Sequence, residues 1–193
     1  MAITESYMLA LQTKAPDFSL TNVVSGKVEN LNQLKGKSGT LVVFMCNHCP
    51  YVIHLIDALI ETAEEFSKKG VNTIAISSNS TISHPQDGPE KMNKLALEKK
   101  FTFPYLFDKT QEIAHAYKAA CTPDFYLFDS DLSLYYRGRY DDSRPSNKNL
   151  ITGKDLHGAF NSMLKGEHTN GVQYPSLGCN IKWNEGNSPE ELS

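Results

Sequence analysis

The chain alternates short, unbroken apolar runs with longer segments whose apolar positions recur every three or four residues. Leu41-Val42-Val43-Phe44-Met45 and the run from Val71 to Ile76 are continuous rather than alternating, the pattern of strands covered on both faces. Between them Val52, Leu55, Ile56, Leu59, Ile60, Ala63 and Phe66 keep helical spacing, and Lys68-Lys69-Gly70 closes the segment with the basic residues and glycine of a helix carboxyl end. Pro50 suits the first turn, where a backbone amide has no helical partner. Strand, helix and strand in this order predict a parallel pair joined by a right-handed crossover.

Around that unit the pattern is shorter in range. Residues 1–14 are weakly patterned, and the segments 15–20 and 28–31 flank Gly26 as an edge hairpin. The stretch from Ser77 to Pro89 is long, polar and rich in turn formers, and reads either as a functional loop or as a solvated connection. A helix is predicted over 89–100, a short strand over 103–107 and a further helix over 110–119. Segments 124–129 and 132–140 form an antiparallel hairpin turning at Ser130-Asp131, and 153–165 is helical. After Gly166 the chain is polar, with an apolar island at Ile181 and Trp183. The expectation is an α/β fold with a central mixed sheet flanked by helices, an N-terminal hairpin and an extended C-terminal tail. Residues 1–183 form a single domain and 184–193 a flexible end.

Composition narrows the function. With 193 residues, 40% of them hydrophobic, the chain can bury one sizeable core. A net charge of −3, from 19 basic and 22 acidic residues, gives no field favouring nucleic acid or an anionic membrane. The amino terminus shows no basic stretch followed by a long apolar core, so the expectation is a cytoplasmic protein. In a reducing compartment a close cysteine pair points to catalysis or metal rather than to a structural bridge.

That pair is Cys46-Asn47-His48-Cys49-Pro50, at the junction between the first apolar run and the helix. A thiolate attacks disulfides and peroxides, so a catalytic cysteine must ionise near neutral pH. The amides and dipole at a helix start favour an anion, and His48 adds positive charge or a donated hydrogen bond, which together bring a thiol from about 8.5 into the range of about 3.5–7.5. On this reading Cys46 is the nucleophile and Cys49, further in and less exposed, resolves the mixed disulfide. Two cysteines at this spacing also make half a tetrahedral zinc site, but Cys121 and Cys179 are solitary and His54, His84 and His115 are scattered, so no metal is expected.

The strand, the motif at a helix start, the strand–helix–strand unit and Thr122-Pro123 before residues 124–128 resemble the thioredoxin fold over about residues 15–165. The resemblance implies that Pro123 is cis and packs against the cysteine pair, and that Thr122 offers backbone groups to a substrate. The insertion after Ser77, the opening Ala15-Pro16-Asp17-Phe18 and the extended tail are similar to the alkyl hydroperoxide reductase and thiol-specific antioxidant superfamily, in its peroxiredoxin-like branch with a Cys-x-x-Cys-Pro motif. True peroxiredoxins carry Pro-x-x-x-Thr/Ser-x-x-Cys; against Cys49 those positions are Val42 and Cys46, and against Cys46 they are Gly39 and Val43. The acid that thioredoxins bury on the strand before the motif is also missing from Leu41 to Met45.

The expected activity is thiol–disulfide exchange through Cys46 and Cys49, tuned by His48, with Thr122 and Pro123 at the substrate and no cofactor beyond the redox-active disulfide. The implied partners are a protein or small-molecule disulfide or peroxide and a thiol electron donor. The alternatives are a thiol peroxidase with antioxidant activity and a non-catalytic redox-sensing or zinc-binding module. Cys121, next to Thr122, is a candidate auxiliary cysteine close to Cys46, although a small residue packed behind the site is the favoured reading. Cys179 either folds back over the site or is a thiol in an ordered tail. Arg137, Arg139, Asp141 and Asp142 read as a salt-bridged strand end.

Overall fold

A computed structural model describes residues 3–168 and 171–189. In chain order its elements are β1 (Ile3–Glu5), β2 (Ser19–Asn22), β3 (Val28–Asn30), α1 (Leu31–Leu34), β4 (Gly39–Phe44), α2 (Pro50–Lys68), β5 (Val71–Ser77), α3 (Pro89–Glu98), β6 (Tyr105–Phe107), α4 (Glu112–Ala116), β7 (Cys121–Thr122), β8 (Asp124–Asp129), β9 (Leu134–Gly138), α5 (Lys154–Leu164) and β10 (Leu177–Asn180). A 3₁₀ turn at Pro85–Asp87 interrupts the polar loop between β5 and α3.

The unbroken apolar runs become the middle of a seven-stranded mixed sheet ordered β3-β2-β6-β5-β4-β8-β9. β4 pairs parallel with β5 and antiparallel with β8, and every one of its residues is buried. Its two-residue period divides the interior: Leu41, Val43 and Met45 face a core that includes Val52, Leu59 and Phe66 of α2, Met92 of α3 and Phe160 of α5, whereas Val42 and Phe44 face Ile74, Tyr117 and Tyr126 on the other side. The helical face predicted for α2 is the buried one, and Phe66 stacks on Phe160 at 3.7 Å between ring centroids. The predicted helix over 110–119 is shorter than expected, five residues of α4, because the chain leaves helical geometry at Lys118 (φ 50°) and turns into β7.

Two features lay outside the periodicity. The polar stretch after β5 is buried at both ends, at Ser77, Ser78, Asn79 and Ser80 and again at Asp87, while residues between them reach solvent. Its polar groups are paired over long sequence distances, with Ser78 Oγ donating to Asp108 Oδ2 at 2.8 Å and the Ser80 amide to the Lys182 carbonyl at 2.7 Å. The C-terminal segment also forms structure, a small second sheet ordered β1-β10-β7. There Cys179 lies opposite Thr122 and Asn180 opposite Cys121. Of the segment 184–193, expected to be flexible, the Asn184 amide donates to Gln111 Oε1 at 2.8 Å and Asn187 Nδ2 donates to the Thr110 carbonyl at 3.0 Å; residues 190–193 lie outside the described residues.

β10 reaches β7 only because residue 178 has no side chain: a Cβ on Gly178 would sit 2.0 Å from the Thr122 carbonyl oxygen, a backbone atom that cannot swing aside. Gly178→Ala is therefore expected to destabilise the fold by about 1–3 kcal/mol, the cost of inserting a methyl group into a packed site. Urea unfolding followed by circular dichroism checks this, and an unchanged midpoint would refute the contact.

Candidate active site

The site forms where β4 ends. The chain leaves the sheet at Met45, passes through Cys46 to His48 and enters α2 with Cys49 as the N-cap and Pro50 in the first turn. Pro123 follows a cis peptide bond at the opposite wall, between β7 and β8. All four cysteines are buried thiols. The expected contrast in exposure between the motif cysteines is absent, since Cys46 is 1% exposed and Cys49 0%.

Thr122 touches both motif sulfurs. Its Oγ1 lies 3.5 Å from Cys46 Sγ, and its carbonyl accepts from Cys49 Sγ at 3.1 Å. The second sheet delivers Cys179, whose sulfur is 2.9 Å from Cys49 Sγ. Cys179 therefore folds back onto the pair, from a position 130 residues along the chain. Cys121 does not take the place suggested for it beside Cys46: its sulfur points to the Pro123 carbonyl at 3.9 Å, and burial holds it well above the ordinary thiol range. Alternation along β7 explains the difference, because Thr122 presents its side chain to the motif and its neighbour faces away.

The polar loop contributes a carboxylate that the sequence reading missed. Asp87 Oδ2 lies 2.6 Å from His48 Nδ1, Asn79 Nδ2 donates to the same oxygen at 2.8 Å, and Oδ1 accepts from the Asn47 amide at 2.9 Å. With Nδ1 donating its one hydrogen to the Asp87 carboxylate, that nitrogen cannot take a proton from Cys46 Sγ, 3.9 Å away. The His48 ring also stacks on His84 at 5.0 Å. Nothing in the periodicity singled out Asp87; the available signal was a long polar loop of the kind that carries function.

Cys46 Sγ, His48 Nδ1 and Asp87 Oδ2 lie within 4.8 Å of one another, a donor set of the kind that holds a metal ion. The half of a zinc site that was missing from the sequence thus comes partly from the loop. The 2.6 Å contact between His48 and Asp87 is a hydrogen bond, however, shorter than the roughly 3.3 Å that separates two ligands each about 2.1 Å from a tetrahedral ion. Metal binding at these atoms requires that hydrogen bond to open.

The surroundings shift the two motif thiols in opposite directions. Cys46 and Cys49 titrate as an interacting pair, each shifting the other. The hydrogen bond from Cys46, joined by others from Cys179, Thr122 and the Val52 amide, brings Cys49 down to about 5. The same bond to Cys49, followed by burial and the Asp87 carboxylate, drives Cys46 up. A second carboxyl is buried behind the loop: Asp124 follows Pro123, accepts from Tyr126 Oη at 2.9 Å and is pushed by burial up to about 7.

The strand-end charges are structural. Asp141 accepts from the amides of Thr152 and Gly153, each at 2.7 Å, and Arg139 pairs with Asp155 at 2.6 Å.

Comparison with known proteins agrees with this geometry. The model of the AhpC/TSA family matches residues 11–137. Among curated proteins, the chain is 27% identical over 128 residues to the thiol-disulfide oxidoreductase ResA of Geobacillus kaustophilus (strain HTA426), covering 66% of this chain and 68% of that protein. Among solved structures, an uncharacterized conserved protein from Geobacillus kaustophilus is 47% identical with a TM-score of 0.93, over 95% of this chain and 97% of that one. A putative thioredoxin from Neisseria meningitidis shares the fold at a TM-score of 0.61 and 21% identity, over 79% and 91% of the two chains.

Two titrations test the electrostatics. Thiolate absorbance at 240 nm in the reduced protein is expected to persist until the pH falls to about 5, and Cys46→Ala is expected to raise that midpoint by removing the leading donor to Cys49. A wild-type midpoint near the ordinary thiol value of about 8.5 would overturn the assignment. Asp124 works in the opposite sense. Its carboxyl stays neutral in the fold up to about pH 7 but ionises near 3.8 in the unfolded chain, so the stability it confers is full below 3.8 and lost as the pH rises through 7. Asp124→Asn is expected to flatten that slope in chemical denaturation measured across the same window; an unchanged slope would contradict it.

Proposed function

Because the chain belongs to the AhpC/TSA family, we propose that it is a thioredoxin-like thiol–disulfide oxidoreductase whose working pair is Cys46 and Cys49. The observation that carries this reading is the placement of two buried thiols at a strand–helix junction, with Thr122 against both sulfurs. The named activity of the ResA relative points the same way.

On this reading Cys46 passes its proton to Cys49 as the substrate engages, and Cys46 becomes the attacking thiolate. Thr122 Oγ1, 3.5 Å from Cys46 Sγ, can donate to the thiolate there. Cys46 attacks one sulfur of a substrate disulfide, and the other sulfur leaves with the electron pair and takes up a proton. Cys49 then attacks Cys46 Sγ, expels the remaining substrate sulfur and closes the Cys46–Cys49 disulfide. The substrate is reduced to two thiols, and an external thiol donor returns the pair to its starting state. Both sulfurs are buried, so a substrate reaches them through local opening of the surrounding loops.

Peroxide reduction is a second reading favoured by one observation. The hydroxyl that the motif lacks by comparison with true peroxiredoxins is supplied from across the site by Thr122, 3.5 Å from Cys46 Sγ. Stopped-flow oxidation by hydrogen peroxide separates the two activities by rate.

Insulin reduction with dithiothreitol as electron source tests the main reading. Cys46→Ser is expected to abolish turnover, and Cys49→Ser to accumulate a mixed disulfide through Cys46. Full activity in Cys46→Ser would sink the assignment.

A further inference from the structure

The mechanism above leaves Cys179 unused, although its sulfur lies 2.9 Å from Cys49 Sγ. At 2.9 Å from Cys49 Sγ it needs to close by less than about 1 Å to reach the roughly 2.05 Å of a disulfide bond. This approach is built rather than incidental. Cys179 is held in register opposite Thr122 by the pairing of β10 with β7, and Ile3 is its partner on the other side. Gly178 lets the strand lie against the Thr122 carbonyl, and the Ile181 amide donates to the Ala120 carbonyl at 3.0 Å just beyond. Folding has thus already met the entropic cost of joining two residues 130 positions apart, so bond formation between them is effectively unimolecular. Cys49 thus has Cys179 at 2.9 Å and its motif partner Cys46 three residues before it in the chain.

We propose that Cys179 is a third redox sulfur that exchanges with Cys49, moving the disulfide from Cys46–Cys49 to Cys49–Cys179. The exchange rests on the reading of Cys46 and Cys49 as the working pair. Cys179 loses its proton and its sulfur attacks Cys49 Sγ; the Cys46–Cys49 bond breaks as the Cys49–Cys179 bond forms. The electron pair leaves on Cys46 Sγ, which takes up a proton. One disulfide and one thiol are present before and after, so no oxidant or reductant is consumed. Burial, then the hydrogen bond and charge of Cys49, raise the Cys179 thiol to about 12, and oxidation of Cys49 removes the last two of these causes. The outcome returns Cys46 to the thiol state, stores the oxidation behind β10 and ties the C-terminal strand covalently to the start of α2. Cys121 is excluded from this exchange by its orientation toward the Pro123 carbonyl.

The test uses the full chain, reduced, treated with diamide, quenched in acid, alkylated and mapped by peptide mass spectrometry. In Cys46→Ser a pair of thiols is expected to disappear on oxidation and a peptide linking Cys49 to Cys179 to form, while the double variant Cys46→Ser/Cys179→Ser keeps its thiols alkylatable. In the wild type, a Cys46–Cys49 link formed first is expected to convert to Cys49–Cys179 after the oxidant is removed. A Cys46→Ser protein with native circular dichroism in which Cys49 and Cys179 both remain alkylated, or in which Cys49 pairs with Cys121, overturns the proposal, and leaves a Cys46–Cys49 link in the wild type standing as support for the exchange activity alone. Formation of Cys49–Cys179 in Cys46→Ser, together with no insulin reduction by the wild type, supports the third sulfur and counts against the proposed activity instead.

Discussion

The site closes on one buried residue, Thr122. Its hydroxyl meets Cys46, its carbonyl accepts from Cys49, and its main chain pairs with the strand that carries Cys179. A residue 3% exposed has to find partners within the protein for its backbone groups, and here these partners are the reactive sulfur on one side and the C-terminal strand on the other. Redox chemistry and fold therefore draw on the same peptide unit. Any movement of β10 alters what Thr122 presents to the cysteines, and any change of the cysteine pair alters what Thr122 presents to β10.

Charge in this enclosure is a property of the group of sulfurs rather than of one residue. The helix start, the Val52 amide and two neighbouring thiols favour the anion on Cys49, while Asp87 opposes it on Cys46. His48 lies between Asp87 and Cys46, its Nδ1 2.6 Å from the carboxylate and 3.9 Å from the sulfur. Asymmetry between two chemically identical side chains comes from the hydrogen bonds around them, not from their order in the motif.

How far this was legible in the sequence depends on the kind of burial. β4, α2 and β5 announce themselves because their buried positions are apolar and periodic, and the Cys46–Cys49 motif is visible because it falls at their junction. The hairpin of β8 and β9 and the proline before it were readable for the same reason, and the family resemblance then made Pro123 meaningful. Ser77 to Ser80 and Asp87 are buried too, yet their burial is compensated by hydrogen bonds to Asp108, Lys182 and His48, partners that no local pattern reveals. β10 was missed on similar grounds: Leu177-Gly178-Cys179-Asn180 is short, carries a glycine and pairs with two strands of only two and three residues. Sequence reasoning located the cysteine motif and left open what surrounds it, because the surroundings are long-range and polar.

The small sheet formed by β1, β10 and β7 has a consequence for how the molecule comes into being. Its strands are drawn from the first residues, the middle and the far end of the chain, so it is the part with the greatest separation between contacts and the last for which all pieces exist during synthesis. β4, α2, β5 and the Pro123 loop can assemble on the ribosome before residue 179 has been made. A nascent chain therefore passes through a period in which the Cys46–Cys49 pair is folded but uncovered, and docking of the final strand marks the change from an open reactive pair to an enclosed one.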